Sequence, residues 1–188
     1  ENKDLIDFPR KDEMYGEVHF LRAFFYFELV KIYGDVPLFT NGRLTAGDSG
    51  TLSRVPKSEV YSVIESDLQA AIAALPAEKS LDGRATSFTA HALLGKVYLY
   101  QDKFSEAATI LEPLIGLYTL PSDPGSVFLV SGENGPEAVF EIQHSKESNG
   151  WNWGWMPQST EGNFGVIHHG IRGYSGPTYS SGWSFNVP

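Results

Sequence analysis

The chain has 188 residues, with 14 Lys and Arg against 23 Asp and Glu for a formal charge of −9, and no cysteine. A chain of this length buries one core of moderate size; its acidic balance argues against a nucleic-acid partner, and the missing thiol removes disulfides, thiolate nucleophiles and cysteine-ligated metal centres. With 41% apolar and 13% aromatic residues this is not a disordered composition, and the most apolar stretch, Phe20 to Tyr33, carries Arg22, Glu28 and Lys31 and falls short of the ~20 apolar residues of a membrane span.

The first predicted element runs from about Glu13 to Tyr33, with Val18, Leu21, Phe24, Phe25, Leu29 and Ile32 at helical spacings, and is closed by Gly34 and Pro37. Tyr26, Phe27 and Val30 widen its apolar face so far that packing on more than one side is expected. After a glycine-bearing loop over Thr40 to Ser53, a second helix is predicted from Pro56 through Val60, Val63, Ile64, Leu68, Ala71, Ile72 and Leu75 to Pro76. A third, Ser87 to Tyr100, and a fourth, about Phe104 to Gly116, are separated only by Gln101-Asp102-Lys103, which makes them antiparallel neighbours.

The third and fourth helices fit the tetratricopeptide repeat. Leu94-Gly95, Tyr98 and Ala107 stand at its Leu-Gly, Tyr and Ala positions, with His91 in place of the usual Trp and Leu111 in place of the usual Phe. The first pair fits more loosely, with Ala23 and Tyr26 in the Gly and Tyr places and Pro76 where the repeat ends. Two units are fewer than the ~3 that such solenoids need, so further packing partners are expected. Next, Ala138-Val139-Phe140-Glu141-Ile142-Gln143-His144 alternates and is predicted as a short strand. Beyond it the composition changes. All four tryptophans lie at or after residue 151, and from Gly150 to Pro188 only Glu161 and Arg172 are charged, among eight glycines. The fold expected is therefore mainly α: a tetratricopeptide-like helical scaffold over residues 1–121, then an irregular, loop-rich region with short strands over residues 122–188.

The run Phe20-Leu21-Arg22-Ala23-Phe24-Phe25-Tyr26-Phe27-Glu28-Leu29-Val30, followed by Tyr33-Gly34-Asp35-Val36-Pro37-Leu38, closely resembles the hallmark segment of the SusD/RagB family. Four later pieces agree in order: Arg54 through Glu59-Val60-Tyr61 to Asp67-Leu68; Gly83-Arg84-Ala85-Thr86; Ala92 to Tyr100; and Glu137 to Ile142. The resemblance implies a surface-exposed outer-membrane lipoprotein of Bacteroidetes-type bacteria. Such a protein binds glycans or other nutrients without catalysis or cofactor and passes them to a SusC-like TonB-dependent transporter. The family's members are much longer and begin with a lipidated cysteine, so the resemblance also implies that these residues are an internal fragment, and that any membrane contact is made through a lipid anchor this chain does not carry.

No ligand contact transfers by motif, so the candidate site rests on physical chemistry. Sugars offer C–H faces to aromatic rings and hydroxyls to planar polar side chains. Trp151, Trp153 and Trp155 alternate; in an extended segment that sets three indoles on one face about 6 to 7 Å apart. Asn152, Asn163, Tyr174 and Trp183 supply polar and further stacking groups. Covering one indole face is worth roughly 1 to 2 kcal/mol, so two or three stacked rings suffice for micromolar-to-millimolar capture. The competing reading is that these tryptophans pack against the helices and compensate for a short solenoid.

Other constellations carry less. His168-His169 has no further ligand at a metal spacing, and neighbouring residues in a strand point apart. Glu133, Glu137, Glu141, Glu147 and Glu161 contain no pair that sequence places at glycosidase separation. Asp35, in Gly34-Asp35-Val36-Pro37, reads as a turn or helix-cap residue. Beside glycan binding, two other readings stand: a tetratricopeptide protein-interaction scaffold without sugar binding, and a glycoside hydrolase.

Overall fold

The computed structural model describes residues 7–40, 45–50, 52–78 and 81–143. The chain divides into two units, Glu1–Glu141 and Ile142–Pro188, and the described helices all belong to the first. These are α1 (Lys11–Tyr33), α2 (Lys57–Ala74), α3 (Ser87–Leu99) and α4 (Phe104–Leu111), each packed chiefly on its neighbours in sequence, the arrangement of a helical solenoid. The tetratricopeptide-like stack is thus present in both of its expected pairs.

Local chemistry sets the helix ends. Gly34 closes α1 at φ 67°, a backbone angle that favours glycine, and its N–H bonds the Val30 carbonyl. The chain then reverses through an antiparallel pairing of β1 (Val36–Pro37) with β2 (Arg54–Val55), in which Val36 faces Val55. Asp35 caps α2 from across this reversal, its Oδ1 accepting the Lys57 N–H at 2.8 Å, so the expected capping role holds. Tyr26 fastens the same loop to α1: its hydroxyl accepts from the Phe39 N–H at 2.8 Å and donates to the Phe39 carbonyl at 3.2 Å. Thr86 starts α3 with a capping box shared with Thr89.

The core is a continuous stripe through the stack: Phe20, Ala23, Phe27 and Val30 of α1, Val60, Ile64, Leu68 and Ala71 of α2, and Ala90, Leu94 and Val97 of α3. Glycine brings the helices close at two places. A Cβ at Gly16 would lie 3.0 Å from both Ala74 Cβ and Leu75 Cγ, and one at Gly95 would lie 2.5 Å from Leu111 Cγ. The Leu-Gly signature and the Leu111 that replaces the usual Phe are therefore two halves of one contact.

The helix expected from the spacing of Val18, Leu21, Phe24, Phe25, Leu29 and Ile32 is present; of these residues Phe24 is partly buried and the other five are exposed, while Gly16, Phe20, Ala23, Phe27 and Val30 enter the core. Two expectations are corrected. The fourth helix stops at Leu111 and tightens into a 3-10 turn over Glu112–Leu114, because Pro113 removes an N–H and its ring crowds the preceding turn. Residues 138–143 form no strand, and no strand among the described residues pairs with them; Phe140 is held instead by ring contacts, 5.4 Å edge-to-face on Phe20 and 6.4 Å on Phe24.

Candidate functional site

The residues singled out for ligand stacking, Trp151, Asn152, Trp153, Trp155, Asn163, Tyr174 and Trp183, lie outside the described residues, as do His168 and His169. Within the helical unit, three polar arrangements have a defined geometry.

The first joins α1 to α2. Asp67, almost wholly buried, accepts from Arg22 through both oxygens, from Nε at 2.6 Å and from a terminal nitrogen at 2.6 Å, and its Oδ1 lies 2.7 Å from His19 Nδ1. The other terminal nitrogen of Arg22 reaches the Thr40 carbonyl at 3.3 Å. The hydrogen bonds to Asp67 raise the Arg22 pKa further, so the guanidinium stays charged. Two helices and one loop are thereby clamped by a bidentate, charge-assisted pair. It holds no nucleophile, and its geometry is that of a structural clamp.

The second ties α1 to the segment before α3: one terminal nitrogen of Arg84 donates to Glu17 Oε1 at 2.6 Å and Oε2 at 2.7 Å. Arg84 then borders the third feature, a cleft of about 180 Å³ lined also by Thr86, Tyr118, Asn134, Phe140 and Glu141. The wall of this cleft is built from the core outward. Phe140 is fixed by Phe20, and Thr89 Oγ1 of the capping box donates to the Val139 carbonyl at 3.2 Å, which pins the wall to the start of α3. Glu141 Oε2 accepts the Asn134 N–H at 2.9 Å, which closes the far side. Burial pushes the Tyr118 phenol pKa up, so it stays a neutral hydroxyl that both donates and accepts. Polar Arg84, Thr86, Tyr118, Asn134 and Glu141 thus line this cleft beside Phe140, with the Arg84 guanidinium bonded to Glu17 and the Glu141 carboxylate to the Asn134 N–H. Among the described residues no group of three His, Cys, Asp or Glu stands close enough to hold a metal ion.

Sequence reasoning missed all three arrangements. Arg22 inside an apolar helix was the available signal for the first, since a charge on such a helix needs a partner. The separation of 45 positions between Arg22 and Asp67 hides that partner from any periodicity. Glu141, weighed as a strand-face residue and as a catalytic carboxylate, is a cleft residue bonded to the backbone of Asn134.

A family model described as "Starch-binding associating with outer membrane", the SusD-like type, matches residues 1–99. Among curated proteins the chain is similar to SusD-like protein P2 of Formosa agariphila, 30% identical over 181 residues, covering 92% of this chain and 34% of the relative. It is likewise similar to SusD-like protein P38 of the same organism, 28% identical, covering 97% of this chain and 40% of the relative. The chain thus spans between about a third and two fifths of the length of these curated relatives. Among solved structures, a laminarin binding SusD-like protein superimposes with TM-score 0.80 at 34% identity, over 95% of this chain and 42% of that one. A SusD-like protein from Bacteroides fragilis gives TM-score 0.67 at 34% identity, over 76% of this chain and 29% of that one.

Proposed function

Since the chain belongs to the SusD-like family of starch-binding proteins that associate with the outer membrane, we propose that it is part of a non-catalytic glycan-binding protein at the bacterial cell surface, which delivers its ligand to a SusC-like TonB-dependent transporter. The observation that carries this reading is the likeness to the laminarin binding SusD-like protein, which extends over 95% of the chain. The helical unit is the scaffold, and the nearly uncharged region after Gly150 supplies the sugar-binding groups. Neutral sugars tolerate such a surface, because no charge has to be desolvated. Trp151, Trp153, Trp155 and Trp183 are the stacking candidates, with Asn152, Asn163 and Tyr174 bonding hydroxyls. Each stacked ring is worth about 1 to 2 kcal/mol, so loss of one weakens binding roughly five- to thirty-fold.

The test is alanine replacement of each tryptophan in the full-length protein, followed by calorimetry with laminarin and with soluble starch. At least one variant is expected to lose most of its affinity, and wild-type binding by all four variants would remove the stacking assignment. Delivery to a transporter is tested separately, by co-purification from the native membrane with a TonB-dependent transporter encoded beside this gene.

A further inference from the structure

Two polar side chains at the cleft beside the start of α3 keep hydrogen-bonding capacity that the fold does not use. Tyr118 is partly buried, enough to raise its phenol pKa, yet its hydroxyl has no partner among the described residues. Arg84 uses one terminal nitrogen on Glu17, and its Nε and second terminal nitrogen have no partner among the described residues. Water satisfies such groups in the empty cleft, and a ligand rich in hydroxyls can replace that water bond for bond.

Given the glycan-binding reading proposed above, on which this rests, we infer that the cleft is a second saccharide subsite, carried by the helical unit itself. It takes one residue of a neutral glycan, with Phe140 against the C–H face of the sugar and Tyr118 and Arg84 bonding its hydroxyls. Size, charge and the walls point to that ligand. A cavity of about 150 Å³ is enough to take up benzene, and drug-sized ligands occupy about 300 Å³ or more, so a cleft of about 180 Å³ admits one six-membered ring and not a chain of them. Glu17 is bonded to the guanidinium and Glu141 stands on the wall, so an anion meets no surplus of positive charge there. Neutral hydroxyls both donate and accept, as the Tyr118 phenol does. Phe140, Ala138 and Ala77 add an aromatic ring and two methyl groups to the lining, which suits the apolar face of a sugar. The wall is also set before any ligand arrives, by Phe140 edge-to-face on Phe20 and by the Thr89 hydroxyl on the Val139 carbonyl, which reduces the ordering that binding costs. A single residue held by a few neutral hydrogen bonds binds with a dissociation constant of about a millimolar.

The test follows the tyrosine-ring resonances of the full-length protein by NMR, the Tyr118 signal being the one that Tyr118→Phe removes. The methyl glycosides of glucose, galactose, mannose and xylose are each titrated to about 100 mM, far above a millimolar dissociation constant. At least one of them is expected to shift the Tyr118 signal saturably, in the wild type and in each of the tryptophan variants. Ala138→Leu, which fills the cleft, is expected to weaken that binding at least about tenfold. Should this variant lose its native circular dichroism, Ala77→Leu, at an exposed position of the same lining, takes its place. No shift with any of the four glycosides overturns the subsite. So does a shift that the filled cleft leaves unchanged, or a shift by glucuronate alone, which means an anion site. The stacking assignment fails on a different result: a silent Tyr118 with polysaccharide affinity lost in a tryptophan variant removes the subsite only, whereas a shifted Tyr118 with wild-type affinity in all four tryptophan variants removes the stacking only.

Discussion

At the scale of single residues, the clamp between α1 and α2 makes an asymmetric prediction. Arg22 keeps 30% of its side chain in water while Asp67 keeps 4%. Removing the arginine strands a buried carboxylate with only His19 beside it, whereas neutralising the aspartate leaves a cation that solvent still reaches. Arg22→Met is therefore expected to cost about 3 kcal/mol and Asp67→Asn about 1 to 2 kcal/mol in urea unfolding. The reverse order would contradict the clamp. Gly95→Ala drives a methyl into Leu111 and should cost about 1 to 2 kcal/mol net of the better helix propensity of alanine. Combination with Leu111→Ala should recover part of that loss, a positive coupling that a double-mutant cycle measures. Two phenols set an alkaline limit. Burial raises the pKa of Tyr61, with Tyr100 adding to the rise and Lys31 opposing it, and burial alone raises that of Tyr118. The unfolded chain thus gives up these protons first. Their contribution is intact below the ordinary phenol value of about 10 and is lost as pH climbs through the higher folded values. Replacing both with Phe should flatten the fall in stability above that pH, and an unchanged slope would count against the assignment.

At the scale of elements, the helices were legible because each carries its own punctuation: Gly34 and Pro37 after α1, Pro56 before α2, Thr86 before α3, and three residues between α3 and α4. Thr86→Ala removes one half of a reciprocal cap and should cost about 1 kcal/mol, whereas Ser105→Ala on the open face of α4 should stay within about 0.5 kcal/mol. What the sequence left ambiguous was orientation. Helical spacing in α1 is satisfied by two faces, and only the position of α2 decides which one enters the core. The alternation at residues 138–143 misled for a related reason. A strand exists only through its neighbour, and the described segment is held by Phe140 on Phe20 and by the Thr89 hydroxyl on a carbonyl, long-range contacts that no local pattern records. The cleft at Tyr118 was invisible for the same cause, since its walls come from residues far apart in the chain.

At the scale of the whole molecule, charge and aromatic content divide along the sequence. The acidic balance lies wholly before Gly150, and the region proposed to meet the ligand has one acid and one base after it. Binding through stacking and neutral hydrogen bonds should therefore change little with ionic strength, and a steep salt dependence would point to a charged ligand instead. The most direct test is to mix the full-length protein with a panel of soluble polysaccharides that includes laminarin and starch, measuring affinity by gel retardation and reducing ends in the same mixtures. Retardation by at least one polysaccharide, with a dissociation constant in the micromolar-to-millimolar range and no release of reducing ends, is the expected result. Turnover of any polysaccharide, or failure to bind every one of them, would contradict a non-catalytic glycan-binding protein.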